Sequence, residues 1–378
     1  MKIGYDAKRA FRNNSGLGNY SRMVIGGIVE SGAEEKELLF TPRVKGRHEH
    51  YFDELRDKGY GLSVVVPNGL WKLAPSVWRS VGCVGAVKSE GVELFHGLSH
   101  ELPYGLPKGV RKIVTMHDLI VLRYPEFFKW VDRVIHRVKM RHACRVADVV
   151  VAISEQTKRD LVDLMHVPEE KIRVVYQSCD PIFWNKEYKD LEDIKSKYSL
   201  PERYVLCVGT VEERKNQATV VRALSLLPEN VCLVVVGRPR GEYPAEVRRV
   251  AKESGVEDRV LFLENADFTD FPMLYNGAVA SVYMSVFEGF GIPVLESLCC
   301  DTPVVTSNVS SMPEAGGDAA LYAAPTDYKT IASHLRRLLD DEAFRQERIE
   351  KGRIQRMKFA PKKVTADMMA VYKSLFND

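Results

Sequence analysis

The stretch Ala280-Ser281-Val282-Tyr283-Met284-Ser285-Val286-Phe287-Glu288-Gly289-Phe290-Gly291-Ile292-Pro293-Val294-Leu295-Glu296-Ser297 decides the fold. Ala280 to Met284 is a short apolar run of strand character, the glycines make a turn, and Pro293 stands where a first helical turn accepts proline. The segment therefore runs strand, turn, helix. A helix start offers unpaired backbone N–H groups and the positive end of the helix dipole, which together suit a phosphate or diphosphate. Glu288 stands just before that start, and Glu296 is expected about two turns inside the helix. The two carboxylates can then accept hydroxyl protons on either side of a bound diphosphate. Hydroxyls, diphosphate, hydroxyls is the polarity pattern of a sugar nucleotide.

Working outward, short apolar runs alternate with longer helical patterns along the whole chain, the signature of parallel sheets covered by helices. The first half carries strand candidates at Lys2–Asp6, Leu38–Thr41, Leu62–Val66, Leu94–Phe95, Ile113–Thr115, Val149–Ile153 and Val174–Tyr176. A second series follows at Tyr204–Val208, Val231–Val236, Val260–Leu263, Ala280–Met284, Pro303–Thr306 and Ala320–Ala323. The polar, charged stretch from Asp180 to Leu200 separates them and reads as the hinge. The expected fold class is α/β: two Rossmann-like, doubly wound parallel-sheet domains facing across a cleft. Residues 1–180 would form the first domain and residues 181–360 the second, which carries the sugar-nucleotide signal, and the segment 361–378 would cross back onto the first domain. Its Val364, Met368, Tyr372 and Leu375 share one helical face after Pro361.

Composition narrows the function. A chain of 378 residues with 45% hydrophobic residues has material for two cores, and a net charge of +3 gives no case for a nucleic-acid binder as a whole. No apolar run approaches the length that spans a bilayer, and Met1 to Tyr5 reads as a first strand rather than a signal peptide, so a cytoplasmic protein is expected. Seven cysteines without C-x-x-C spacing argue against a disulfide framework or a zinc site, and Cys207 and Cys232 read as small core residues.

Three further constellations carry chemistry. Val208-Gly209-Thr210 leads into Arg214-Lys215-Asn216 ahead of a helix at Ala218–Leu227, which puts two cations at a strand's carboxyl end. Asn14-Ser15-Gly16-Leu17-Gly18-Asn19-Tyr20 follows the first strand, with glycines that permit close backbone approach to a ligand, or that simply make a turn. His96 and His117 each end a strand, where sites collect in α/β sheets. His117 is the better candidate of the two, because Asp118 beside it can cap a helix and leave the imidazole aimed at the cleft.

With these residues in hand, the chain resembles the family 4 retaining glycosyltransferases of the GT-B fold over almost its whole length. The resemblance is carried by Ser15 to Tyr20, Thr115-Met116-His117-Asp118-Leu119, Ala152-Ile153-Ser154-Glu155, Val208 to Thr210 with Arg214-Lys215-Asn216, and the E-x7-E block from Glu288 to Glu296. Pro303 to Asn308 and Met312-Pro313-Glu314 continue it.

The resemblance implies a catalytic set of Glu288, His117, Arg214 and Lys215. Arg214 and Lys215 would hold the donor diphosphate, Glu296 would take the ribose hydroxyls, and Glu288 would face the transferred sugar. Phe290, Gly291 and Ile292 would offer backbone N–H groups, with Gly209 and Leu295 also lining the donor. His117 would meet the sugar from the other domain, and Gly16 and Gly18 would line the diphosphate or acceptor side. It further implies no cofactor beyond the nucleotide-diphosphate sugar as co-substrate and no metal, in keeping with the lack of any Asp-x-Asp in the sequence.

Same-face displacement through an oxocarbenium-like ion pair, with the departing phosphate accepting the acceptor's proton, is the chemistry it implies. The resemblance leans to GDP-mannose as donor, then UDP-hexoses, with a glycan or lipid-linked acceptor in cell-surface polysaccharide or glycolipid synthesis. A nucleotide-sugar epimerase of the same fold and a non-catalytic sugar-nucleotide-binding partner are the alternatives. Between Phe127 and Arg145, six cations interleave with Trp130, Val134, Ile135 and Val138. That is the pattern of a basic amphipathic helix, able to touch an anionic inner-membrane surface or to cover the domain with a solvated face. Gly69 to Pro75, with Trp78, reads either as an exposed aromatic loop or as a packed one.

Overall fold

The computed structural model describes residues 1–13, 16–32, 36–44, 48–185 and 190–376. Asn14 and Ser15, which open the glycine-bearing motif, lie outside the described residues, as do residues 186–189 of the hinge stretch. The chain forms two compact units, Met1–Ser178 with Ala360–Asp378, and Cys179–Phe359.

In the first unit the strands are β1 (Lys2–Asp6), β2 (Lys36–Phe40), β3 (Leu62–Val65), β4 (Leu94–Gly97), β5 (Arg111–Met116), β6 (Val149–Ala152) and β7 (Ile172–Val174). They form one sheet in the order β3-β2-β1-β4-β5-β6-β7, and every pairing is parallel. Strands covered by helices on both faces have no solvated side, so they read as continuous apolar runs. β4 and β6 are buried along their whole length. The strand order reverses between β1 and β4, the switch point at whose carboxyl edge ligands bind in such sheets.

The C-terminal helix Pro361–Ser374 belongs to this unit. Val364, Met368 and Tyr372 are buried on its inner face, and burying each side chain of this size contributes about 1.5–3 kcal/mol. It packs closely on the helix Gly16–Glu30, where a Cβ added to Gly27 would lie 2.3 Å from the Thr365 hydroxyl oxygen. Tyr372 also accounts for His96. That ring is fully buried, with Nδ1 2.6 Å from the Tyr372 hydroxyl and Nε2 2.8 Å from the Thr115 hydroxyl. His96 is therefore a tie between the terminal helix and the sheet.

The second unit contains β8 (Tyr204–Val208), β9 (Cys232–Val236), β10 (Val260–Leu263), β11 (Ala280–Tyr283), β12 (Val304–Ser307) and β13 (Leu321–Ala323). Their order is β10-β9-β8-β11-β12-β13, again all parallel, with the reversal between β8 and β11. Cys207 is buried in β8 as expected, whereas Cys232, at the start of β9, is only half-buried.

Two local expectations are corrected. The helix that carries the glycines, the second after β1, begins at Gly16, so both glycines occupy its first turn instead of a preceding loop. Gly18 has a steric reason to be glycine, since a Cβ there would lie 1.9 Å from the Asn13 carbonyl oxygen. The last strand of the first unit spans Ile172–Val174 rather than Val174–Tyr176. β7 is an edge strand, and its pairing starts where Ile172 meets Val150, upstream of the apolar run.

Candidate functional site

The cation pair and the E-x7-E block meet at the switch point of the second sheet. β8 and β11 are adjacent and parallel, so their carboxyl ends release two loops side by side. Gly209 leaves β8 at φ +143°, a conformation that favours glycine. A Cβ on Gly237 would stand 2.0 Å from the Gly209 carbonyl oxygen, so the loops after β8 and β9 run in contact. The chain then makes a 3₁₀ turn at Glu213–Lys215 and enters the helix Gln217–Leu224 through Asn216, which is left-handed at φ +60°. Backbone stitches the two loops together, with the Val286 amide donating to the Arg214 carbonyl at 2.9 Å.

Glu288 is thereby brought against both cations. Its Oε1 lies 2.5 Å from Arg214 Nη1 and 2.5 Å from Lys215 Nζ, and it accepts from the Tyr283 and Ser285 hydroxyls, each at 2.7 Å. Lys215 also donates to the Tyr283 hydroxyl. The Glu288 side chain is 15% exposed and that of Lys215 13%, so the cluster is mostly withdrawn from water. All four contacts fall on Oε1, and no hydrogen bond among the described residues uses Oε2. Burial works against charge on this carboxyl, but Lys215 and Arg214 outweigh it and hold Glu288 at about 2. Burial also lowers the Lys215 ammonium, with Glu288 opposing that shift. The Glu288 backbone is pinned as well: its N–H donates to the Ser310 hydroxyl, and its carbonyl accepts from Ser310 and Ser311.

The helix that follows spans Ile292–Cys299, with Gly291 as its N-cap and Pro293 in its first turn. Phe290 is buried against Phe359, their ring centroids 5.2 Å apart, so its side chain is withdrawn from a ligand at this turn. Glu296 lies four residues after Ile292, one turn inside the helix rather than two. It is 7% exposed and accepts from the Tyr275 hydroxyl at 2.9 Å. Burial, with Asp180 adding to it, raises its carboxyl to about 7 against the opposing pull of Tyr275 and Lys215. Leu295 follows Val294 in this helix. Its side chain is fully buried and its amide donates to the Gly291 carbonyl at 3.1 Å.

In the first unit, His117 follows β5 and is nearly buried. Its ring meets the Tyr20 edge at 4.6 Å and stacks on His100 at 5.4 Å. Asp118 accepts from the Ile120 amide at 3.0 Å in an Asx-type turn ahead of the short helix Ile120–Arg123, whose N-cap is Leu119 rather than Asp118. Gly16 has nothing within 4 Å of an added Cβ.

Sequence reasoning missed Tyr283, Ser285, Ser310, Ser311 and Tyr275 around the glutamates, and Tyr20 and His100 around His117. Single hydroxyls give no spacing signal. The histidine pair at positions 96 and 100, straddling a strand end, was the one available hint for His100.

The comparisons with known proteins agree with this geometry. Residues 189–355 match the family described as glycosyl transferases group 1, and residues 16–182 match glycosyltransferase family 4. The O-antigen chain mannosyltransferase B of Escherichia coli is 30% identical over 287 residues, covering 75% of this chain and 74% of that one. The O-antigen chain mannosyltransferase RfbU of Salmonella typhimurium is 28% identical over 340 residues, covering 87% and 89%. Among solved structures, Anabaena HepE in complex with UDP and glucose has a TM-score of 0.76 at 18% identity, covering 99% of this chain and 100% of that one. WaaG, a glycosyltransferase involved in lipopolysaccharide biosynthesis, has a TM-score of 0.69 at 17% identity, covering 98% and 99%. Two doubly wound parallel sheets with a charged loop cluster at a switch point define the class, a GT-B glycosyltransferase. The chain belongs to glycosyltransferase family 4.

Proposed function

We propose that this glycosyltransferase moves a hexose, mannose before others, from a nucleoside diphosphate to a glycan or lipid-linked acceptor, with retention at the anomeric carbon. The observation that carries the reading is the Arg214–Lys215–Glu288 cluster beside the helix start at Gly291 and Ile292. Two cations and the first-turn amides of a helix supply the positive field that a leaving diphosphate needs, so the reading requires no metal. In it, Arg214 and Lys215 take the diphosphate, Glu296 the ribose hydroxyls, and Glu288 Oε2 and His117 hydroxyls of the sugar. Gly209 and the amides of Phe290 to Ile292 allow the close backbone approach, while Gly16 and Gly18 serve the diphosphate or acceptor side. Mannose is favoured because two relatives are named as O-antigen mannosyltransferases. A UDP-linked hexose stands second because HepE was solved with UDP and glucose.

A panel of UDP-, GDP-, ADP- and CMP-linked sugars tests this by thermal shift. A ligand at one hundred times its Kd adds about 2.7 kcal/mol to the folded state, which moves Tm by several degrees. GDP-mannose should give the largest shift, and excess chelator should leave it unchanged. No shift with any nucleotide sugar at millimolar concentration would sink the donor-site assignment.

The acceptor side of the reading includes peripheral contact with an anionic membrane. No helix among the described residues is long and apolar enough to cross a membrane. However, the helix Trp130–Val146 exposes Trp130 at 71%, together with Val131, Val134, Ile135 and Val138. Leu70 and Leu73, at 86% and 85%, add a second apolar segment in the same unit, whereas Trp78 is buried. Lys129, Arg133, Arg137 and Arg141 are exposed among the helix residues, with Asp132 as the acid in its first turn. Apolar side chains interleaved with that charge match an anionic lipid surface. The protein should therefore co-sediment with vesicles containing phosphatidylglycerol and not with phosphatidylcholine alone. Replacing Trp130, Val134 and Val138 by serine should lower the bound fraction roughly tenfold or more. Equal sedimentation of the triple variant, or a dimer that these substitutions abolish, would overturn the membrane contact.

A further inference from the structure

We propose that His100 is a positioning residue for His117: its ring pins the strap whose Leu98 carbonyl holds His117 in the tautomer with the proton on Nε2, so that Nδ1 stands as a hydrogen-bond acceptor for a substrate hydroxyl. The substrate role of His117 rests on the function proposed above; the tautomer lock does not.

The argument begins with the strap that follows β4. A Cβ on Gly97 would lie 2.0 Å from the Glu101 carbonyl oxygen, so the chain folds back tightly there. His100 adopts φ +63°, a left-handed conformation that costs a non-glycine residue about 1–2 kcal/mol. Three hydrogen bonds tie this strap to the neighbouring end of β5, two of them through His100. The His100 amide donates to the Thr115 carbonyl at 3.0 Å, the His117 amide donates to His100 Nε2 at 3.1 Å, and His117 Nε2 lies 2.9 Å from the Leu98 carbonyl oxygen.

These partners dictate where the protons are. A carbonyl oxygen only accepts, so His117 Nε2 carries a hydrogen. A backbone amide only donates, so His100 Nε2 carries none, and neutral His100 is protonated at Nδ1. A neutral imidazole has one donor and one acceptor, which leaves His117 Nδ1 with a lone pair. No hydrogen bond among the described residues occupies that nitrogen.

A second proton on His117 would have to enter at Nδ1. Burial opposes it first, and His100, stacked 8° from parallel, opposes it next; together with Arg9 they bring His117 to about 3 despite Leu98 and Asp118. His100 is itself lowered to about 4 by burial, with His136 and Arg9 adding to the shift and Glu101 opposing it. Both rings therefore stay neutral at physiological pH. Tyr20 packs on the ring as well, at 87° to it and with centroids 4.6 Å apart. Held this way, His117 recognises a hydroxyl by accepting its hydrogen, and it cannot serve as a general acid.

Imidazole ¹H–¹⁵N correlation spectra test the lock directly, with His117 assigned by the signal lost in His117→Gln. Wild type should show His117 as a single Nε2–H tautomer that does not titrate between pH 5.5 and 8. His100→Gly keeps the positive-φ backbone and removes the ring. In it His117 should become a tautomer mixture that titrates, and kcat should fall roughly tenfold with little change in KM. His100→Asn tolerates positive φ and offers an oxygen to the His117 amide, so it should restore part of both. An Nδ1–H or averaged pattern in wild type overturns the proposal without any variant. So does an unchanged His117 spectrum in His100→Gly, even where Tm falls. Wild-type transfer by His117→Gln, with the wild-type tautomer as stated, would overturn the substrate role and leave the lock standing.

Discussion

Glu288→Gln is expected to lower the transfer rate by about 10²–10³-fold while nucleoside diphosphate binding stays equal or tightens. Glu288 is fully ionised at any physiological pH, since Lys215 and Arg214 hold its carboxyl at about 2 despite burial. In the ligand-free protein it neutralises the two cations that the proposal gives to the diphosphate. Removing its charge frees them for phosphate oxygens. The same change deprives the sugar of an anionic acceptor at Oε2 and weakens an ordered cluster, because Oε1 gathers Arg214, Lys215, Tyr283 and Ser285.

The two effects separate in measurement. Calorimetric titration with nucleoside diphosphate reads the first, and turnover under donor saturation reads the second. Lys215→Met should lower both, losing diphosphate affinity and the charge that steadies the leaving diphosphate, while leaving Glu288 with Arg214 as its ion-pair partner. Breaking one side of a buried pair costs about 3–5 kcal/mol; these side chains are 13–20% exposed, so a smaller loss of Tm is expected. Near-wild-type turnover in Glu288→Gln would remove it from the chemistry. A parallel loss of binding, turnover and Tm would reduce the residue to a structural ion pair.

The fold was legible because both sheets are parallel and covered, so each strand is written as an apolar run that needs no partner to be recognised. Lys2–Asp6 and Tyr204–Val208 match their strands residue for residue. Edge strands were less legible, as β7 illustrates, because pairing on one side only lets polar residues such as Arg173 enter the ladder. The site was legible as a set of residue types at strand ends. Its internal wiring was not. Glu288 and Lys215 are 73 positions apart, and nothing local in either stretch says that they touch. Only the adjacency of β8 and β11 does. His100 was invisible for a related reason, since its role depends on a backbone angle and on a neighbour across β4 and β5.

Glu296 leads to the second large effect, a pH dependence of stability and of donor binding in opposite directions. Its carboxyl is raised from an ordinary 4.5 to about 7, chiefly by burial. A group raised on folding stabilises the folded state below its unfolded value, and that contribution is lost as pH rises through the folded one. Between pH 4.5 and 7 the free protein should therefore lose stability on this account, reaching a cost of about 3 kcal/mol by pH 8. Glu296→Gln keeps an acceptor for the Tyr275 hydroxyl and carries no charge to desolvate. It should match wild type at pH 4.5 and exceed it in unfolding free energy by about that amount at pH 8.

Donor binding should run the other way. Ribose hydroxyls donate to a carboxylate, and hydrogen bonds to the charged form favour it. The donor should thus bind more tightly as pH rises from 6 to 8, by up to roughly tenfold per unit near the lower end. Titrations in buffers of different ionisation enthalpy should detect up to about one proton released at pH 6, falling to a fraction at pH 8. The glutamine variant should bind more weakly, with neither the pH slope nor the proton. Superimposable stability profiles for the two proteins would mean that Glu296 is not desolvated as the geometry requires. A slope in stability without proton release on donor binding would separate Glu296 from the nucleotide.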